Sequence, residues 1–182
     1  MGEQDMKRLG PLCTPYGLSE KQRQIIWDAV NTNIVDVLAS DHAPHTEDEM
    51  QPGWKDAWSI PFGNPQLDHF VSILLTKANE KFTTIENIIE KCSENPAKLL
   101  GIYPRKGVIQ IGSDADFTII DPHKKMTLSN NNLYTKVGWS PYKDWQINGC
   151  PVMTIVRGDI VMQDGKVTAK PGCGKFISGT RA

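Results

Sequence analysis

The chain has 182 residues, of which 39% are hydrophobic and 23% charged, with a net charge of −1. That length buries one real core, or one domain with a smaller appendage, and the near-neutral balance gives no electrostatic basis for nucleic acid or an anionic membrane as partner. No apolar run approaches the ~20 residues of a spanning helix, and residues 1–10 lack the apolar region of a signal peptide. Cys13, Cys92, Cys150 and Cys173 lie far apart with no C-x-x-C pair, which argues against a zinc ribbon or a thioredoxin-type site. Free thiols and a cytoplasmic location are expected.

Along the chain, Ser19 followed by Gln22 is a capping-box start, and Ile25, Ile26, Ala29 and Val30 follow at helical spacing. Ile34-Val35-Asp36-Val37-Leu38-Ala39 is a nearly continuous aliphatic run, the pattern of a strand buried on both faces of a parallel sheet. It ends at Ser40-Asp41-His42-Ala43-Pro44-His45. Residues 46–66 form a long loop rich in Pro, Gly and Trp, and loops of that length are usually functional.

A helix carrying Phe70, Val71, Leu74 and Leu75 comes next, then one that starts at the capping pair Thr83 and Glu86 and carries Ile85, Ile88, Ile89 and Cys92. Asn95-Pro96 is expected to break it. Beyond Gly101 the texture changes to short strands, expected at 108–111, 117–120, 152–156, 160–163 and 166–168. Arg157-Gly158 and Asp164-Gly165 supply hairpin turns, and 130–145 reads as irregular. Arg157-Gly158-Asp159 spells an adhesion tripeptide, but its place between two strand runs makes it a turn. His69 and His123 are expected to be structural and exposed, respectively. Trp139 and Trp145 are expected to pack, whereas Trp54 and Trp58 lie in the long loop and are placed to meet a ligand.

The constellation with chemical content is Asp41, His42 and His45. A carboxylate at a strand end can bind a metal or move a proton, and an imidazole four residues on can hold an anion. The spacing alone leaves a second reading open, a solvated loop with a capping aspartate and surface histidines.

The wording of the sequence carries more than the spacing. Ser40-Asp41-His42-Ala43-Pro44-His45-Thr46 resembles the strand-eight signature of the amidohydrolase superfamily, in its dihydroorotase, allantoinase and hydantoinase branch. Asn95-Pro96-Ala97-Lys98, Leu100-Gly101, Lys106-Gly107 and Ile111-Gly112-Ser113-Asp114-Ala115-Asp116 are similar to the family's last barrel helix and returning β-sandwich. Pro141-Tyr142, Thr154-Ile155-Val156-Arg157-Gly158 and Gly174-Lys175-Phe176-Ile177 are similar to its C-terminal strands and tail. Leu9 and Cys13 depart from the dihydroorotase pattern, which has asparagine and arginine there. The stretch Tyr103-Pro104-Arg105-Lys106-Gly107 is nearer the hydantoinases and allantoinases.

The resemblance implies an α/β fold: the C-terminal units of a TIM (β/α)8 barrel over residues 1–100, and a small β-sandwich subdomain over 101–182. It implies a metal-dependent hydrolase that opens the C–N bond of a cyclic amide or ureide, using one or two divalent ions, zinc in first place. Asp41 is implied as metal ligand and as the proton shuttle between the attacking water and the leaving nitrogen. His45 is implied to bind a substrate carboxylate, and Phe62 and Gly63 to line the ring; His42 is given a supporting role. The family's other ligands, a His-x-His pair, a carboxylated lysine and two histidines, have no match here, so the chain is expected to begin near strand seven. It is then inactive without the N-terminal part of the barrel, and the whole enzyme is expected to be a homo-oligomer. The alternative is a non-catalytic relative kept as an assembly scaffold.

Overall fold

A computed structural model describes residues 2–13 and 17–179. It is an α/β structure that divides into two compact units, each assembled from separated stretches of chain. The first comprises residues 1–29, 39–70 and 126–147, and the second residues 30–38, 71–125 and 148–182.

In the first unit, helix α1 (Glu3–Leu9) runs into a 3-10 turn (Gly10–Leu12) that packs on the long loop. Gly10 is there because the Trp54 ring lies where its side chain would be: a Cβ would stand 2.2 Å from it. Helix α2 (Glu20–Asn31), which belongs to this unit as far as Ala29, starts where the capping box predicts, with Ser19 N–H donating to Gln22 Oε1 at 2.9 Å. The loop holds one turn of helix, α3 (Glu47–Met50), whose Met50 is fully buried. Leu9, Cys13, Ile60, Leu128, Trp139, Tyr142 and Ile147 are buried in the same unit. Tyr142 and Trp145 stack edge to face at 5.0 Å, so Trp139 and Trp145 do serve packing.

The second unit is built on α4 (Phe70–Asn79), which enters it at Val71. Two side chains join that helix to the sheet. Asn79 Nδ2 donates to Pro122 O (2.9 Å) and Asn148 O (2.8 Å), and Thr76 Oγ1 accepts from Asn148 N (3.0 Å). The sheet has four strands in the order β1 (Phe117–Thr127), β2 (Gln146–Val156), β3 (Asp159–Gln163) and β4 (Lys166–Val167). β2–β3 and β3–β4 are antiparallel. Both expected hairpin turns form. Arg157 and Gly158 (φ 51° and 87°) and Asp164 and Gly165 (49° and 77°) take the left-handed pairs such turns need. β1 runs through Pro122, which an edge strand tolerates because its outer N–H positions need no partner. His123 is exposed, within the strand.

Three expectations of local structure need correction. Asn95-Pro96 does not break the helix. Thr84, not Thr83, caps α5 (Ile85–Ile89), and helix continues through a π turn (Glu90–Glu94) into α6 (Asn95–Leu99). The wide turn just before Pro96 absorbs the lost N–H and the ring. It also turns Lys91 inward, fully buried, with Nζ donating to Asn33 Oδ1 at 2.8 Å.

Second, residues 34–39 form no strand: Ile34 is a bend and irregular chain follows it. Leu38 N donates to Lys91 O (3.0 Å) and Asn95 Nδ2 donates to Asp36 O (2.9 Å), and Ile34 is exposed. Third, residues 108–111 form no strand, and Ile109 and Ile111 are exposed. The reason is shared. A strand exists only where another strand completes its ladder, and the described residues offer none at these two places.

Lys106 ties the segment after α6 to the sheet. Its Nζ contacts Asp114 Oδ2 (2.9 Å) and Asp116 Oδ2, while Asp116 Oδ1 accepts from Arg157 N (2.7 Å). The Lys106 hydrogen bond holds Asp114 below the ordinary carboxylate range. For Asp116, burial pushes upward, but the Lys106 and Arg157 bonds prevail and the carboxyl also falls below that range. Depressed folded-state values stabilise the fold above the unfolded pKa near 4, and that contribution is lost as pH falls through the folded values. The melting temperature should therefore drop between about pH 5 and about pH 2. Lys106→Met should lower it at neutral pH and flatten the acid fall, as measured by melting across that range.

Candidate active site

All five sequence-selected positions, Asp41, His42, His45, Phe62 and Gly63, belong to the first unit. Asp41 is exposed and adopts φ 47°, a left-handed conformation that a non-glycine residue takes at a cost. It follows irregular chain rather than the end of a strand, which corrects the expectation of a strand flanked by parallel neighbours. Among the described residues a single parallel bridge stands here, between His42 and Asn64.

Around that pairing the chain is clasped. Ala43 N donates to Asn64 O at 3.2 Å. His42 Nδ1 accepts from both Gln66 N (3.0 Å) and Leu67 N (3.1 Å). Gly63 is pressed against Ala43 so closely that a Cβ would meet Ala43 O at 2.3 Å and Ala43 Cβ at 2.6 Å. A side chain at 63 would force the two segments apart. Tyr142, buried, donates from Oη to Gln66 Oε1 at 2.9 Å and so braces the residue that supplies one of the donors. Burial pushes the Tyr142 phenol up to about 12, so it stays a protonated donor through neutral pH.

His45 is half-buried, and its carbonyl accepts from Trp139 Nε1 at 2.8 Å. Its Nδ1 lies 4.0 Å from Glu49 Oε2. Glu49 also closes the capping box of α3 by accepting from Thr46 N at 2.7 Å, and that bond holds its carboxyl below the ordinary range. Phe62 is exposed and meets the still more exposed Trp58 edge to face, at 6.4 Å and 70°. Trp54, also in the loop, rests on Gly10. A cleft of about 650 Å³ in this loop is lined by Asp48, Gln51, Pro52, Trp54, Lys55, Asp56 and Ser59, and by none of the five selected residues. His69, just before α4, is half-buried; desolvation lowers its pKa, which favours the neutral ring.

Sequence reasoning missed Gln66, Trp139 and Glu49 as parts of this arrangement. Only Glu49 had a local signal, three residues after Thr46. Gln66 and Trp139 act through long-range bonds that no spacing announces.

Among the described residues no three His, Cys, Asp or Glu side chains converge in a way that could hold an ion. Asp41 can contribute one oxygen ligand, and one ligand does not make a site.

The sequence profile of the amidohydrolase family matches residues 3–161, and the chain belongs to that family. Its relatives are cyclic amidohydrolases. An L-hydantoinase of Paenarthrobacter aurescens is 34% identical over 177 residues, 96% of this chain and 39% of that protein. A dihydroorotase of Pyrococcus furiosus is 41% identical over 153 residues, 84% of this chain and 34% of that protein. The solved structure of the L-hydantoinase (dihydropyrimidinase) from Arthrobacter aurescens superimposes with a TM-score of 0.92 at 33% identity, over 98% of this chain and 40% of that one. The chain thus spans about two-fifths of the length of such relatives.

Gly63→Ala should push Ala43 off Asn64 and destabilise the protein by about 1–3 kcal/mol, the usual cost of overpacking. Chemical denaturation of the variant against the parent measures it.

Proposed function

We propose that this chain supplies the Asp41 side of the active site of a metal-dependent cyclic amidohydrolase. The reaction is hydrolysis of a ring C–N bond in a dihydropyrimidine, a hydantoin or a related ureide. The observation that carries the reading is the left-handed Asp41 beside a three-bond clasp, in a chain whose relatives are named hydantoinase and dihydroorotase. A strained backbone held beside a rigid support is a common device for aiming a reacting group.

Water adds to the ring carbonyl carbon, and the Asp41 carboxylate takes its proton. The C–N bond then breaks, the same proton passes from Asp41 to the leaving nitrogen, and the ring-opened carboxylic acid that results releases the water's second proton to solvent to become a carboxylate. His45, its backbone held by Trp139, grips a carboxylate on the substrate where there is one. The backbone at Phe62 and Gly63 lines the ring. A divalent ion, zinc in first place, belongs to this reading with Asp41 as one ligand; its other ligands come from outside the described residues. In the same proposal, residues 1–100 are barrel units and 101–182 a β-sandwich subdomain, in a cytoplasmic homo-oligomer.

Steady-state kinetics with metal analysis on the whole protein test these roles. Asp41→Asn keeps size but removes the base, so kcat should fall by about 10²–10⁴-fold. Parental turnover by metal-replete Asp41→Asn would end the proposal. His45→Ala should raise KM for acidic rings such as dihydroorotate and leave dihydrouracil and neutral hydantoins nearly unchanged. An equal effect on both classes would remove His45 as a carboxylate reader.

A further inference from the structure

His42 lies beside the proposed proton shuttle, and its two ring nitrogens offer different chemistry. Nδ1 accepts two backbone N–H groups, from Gln66 at 3.0 Å and Leu67 at 3.1 Å. A ring nitrogen can accept only through its in-plane lone pair, so Nδ1 carries no proton and the neutral ring carries its proton on Nε2. The backbone of the same residue pairs with Asn64, and the next N–H, of Ala43, donates to Asn64 O. His42 therefore closes residues 64–67 onto the chain one residue after Asp41, where φ reaches 47°.

We infer that His42 is a positioning residue that works through Nδ1 alone: it accepts the Gln66 and Leu67 N–H groups and thereby holds the left-handed Asp41 in place, and Nε2–H takes no part in the reaction. Ordinary packing would not need an acceptor at that atom. An aliphatic side chain would leave the two N–H groups without their acceptor. The catalytic half of this inference rests on the Asp41 proposal; the structural half does not.

Two substitutions separate the nitrogens. In His42→Asn the side-chain oxygen stands near the place of Nδ1, which keeps the acceptor and deletes Nε2. In His42→Gln the polar end is carried to the Nε2 distance and the acceptor near the backbone is lost. Amide hydrogen exchange of Gln66 and Leu67 reads the clasp in the chain as it is, and kcat of the whole protein reads the positioning.

His42→Asn should keep both amides protected and keep kcat within a few-fold of the parent. His42→Gln should speed exchange of those amides by about tenfold and lower kcat on the order of 10²-fold, with KM little changed, as a displaced catalytic group does. The inference is overturned if His42→Asn keeps the amides protected but loses turnover, which gives Nε2 a direct role. It is equally overturned if His42→Asn loses the protection, or if His42→Gln behaves as the parent. Should His42→Gln not fold, His42→Asn decides alone. A parent protein with no activity on any cyclic amide would defeat the functional proposal while the exchange arm still judges the clasp.

Discussion

The contact between residues 42–43 and residues 63–67 is the constraint on which the candidate site depends. It combines one carbonyl acceptor, one imidazole acceptor and a glycine with no room for a side chain. Each hydrogen bond contributes on the order of 1 kcal/mol net, so no single one holds the loop. Together they leave few conformations for residues 40–45, and the cost of Asp41 at positive φ, about 1–3 kcal/mol for such a residue, is met by neighbours that cannot relax. The long loop can then carry function without carrying disorder, because its two ends are fixed to each other.

Around this contact the polar side chains are arranged in relays rather than isolated pairs. Tyr142 braces Gln66, and Gln66 supplies an N–H to His42. Trp139 holds the His45 carbonyl, and Glu49 closes the cap of α3 while standing opposite His45 Nδ1. Orientation is thus spread over residues 130 to 142 and 46 to 66, which meet only through folding. The placement of Glu49 also has a chemical meaning for the proposed role of His45. A carboxylate already approaches that imidazole, as an acidic substrate would have to.

The second unit solves a different problem, burying a helix beside a sheet that contains glycine and proline. Gly149, at φ 110°, lets Leu75 approach to where a Cβ would stand 2.8 Å away, and Asn79 takes the carbonyls of Pro122 and Asn148. The π turn at Glu90–Glu94 makes room for Pro96 and brings Lys91 inside, where its Nζ donates to Asn33 Oδ1. Among the exposed aliphatic residues, Ile34, Ile109 and Ile111 lie on the two segments that read as strands and have no ladder among the described residues.

What the sequence by itself determined is the chemistry that acts over a few residues. The capping box at Ser19, the left-handed turns at Arg157-Gly158 and Asp164-Gly165, and the Asp41-to-His45 signature with the family motifs behind it were all legible, since each depends on residues within a turn of one another. What only the tertiary structure decided depends on partners far away in the chain. Residues 34–39 have every local mark of a strand, yet a strand needs a neighbour that propensity cannot supply. Pro96 reads as a break, yet a π turn accommodates it once Lys91 has a partner at Asn33. Asp41 could be picked out by its signature, but its left-handed backbone, and the acceptor nitrogen of His42 beside it, exist because residues 64–67 arrive to bind them.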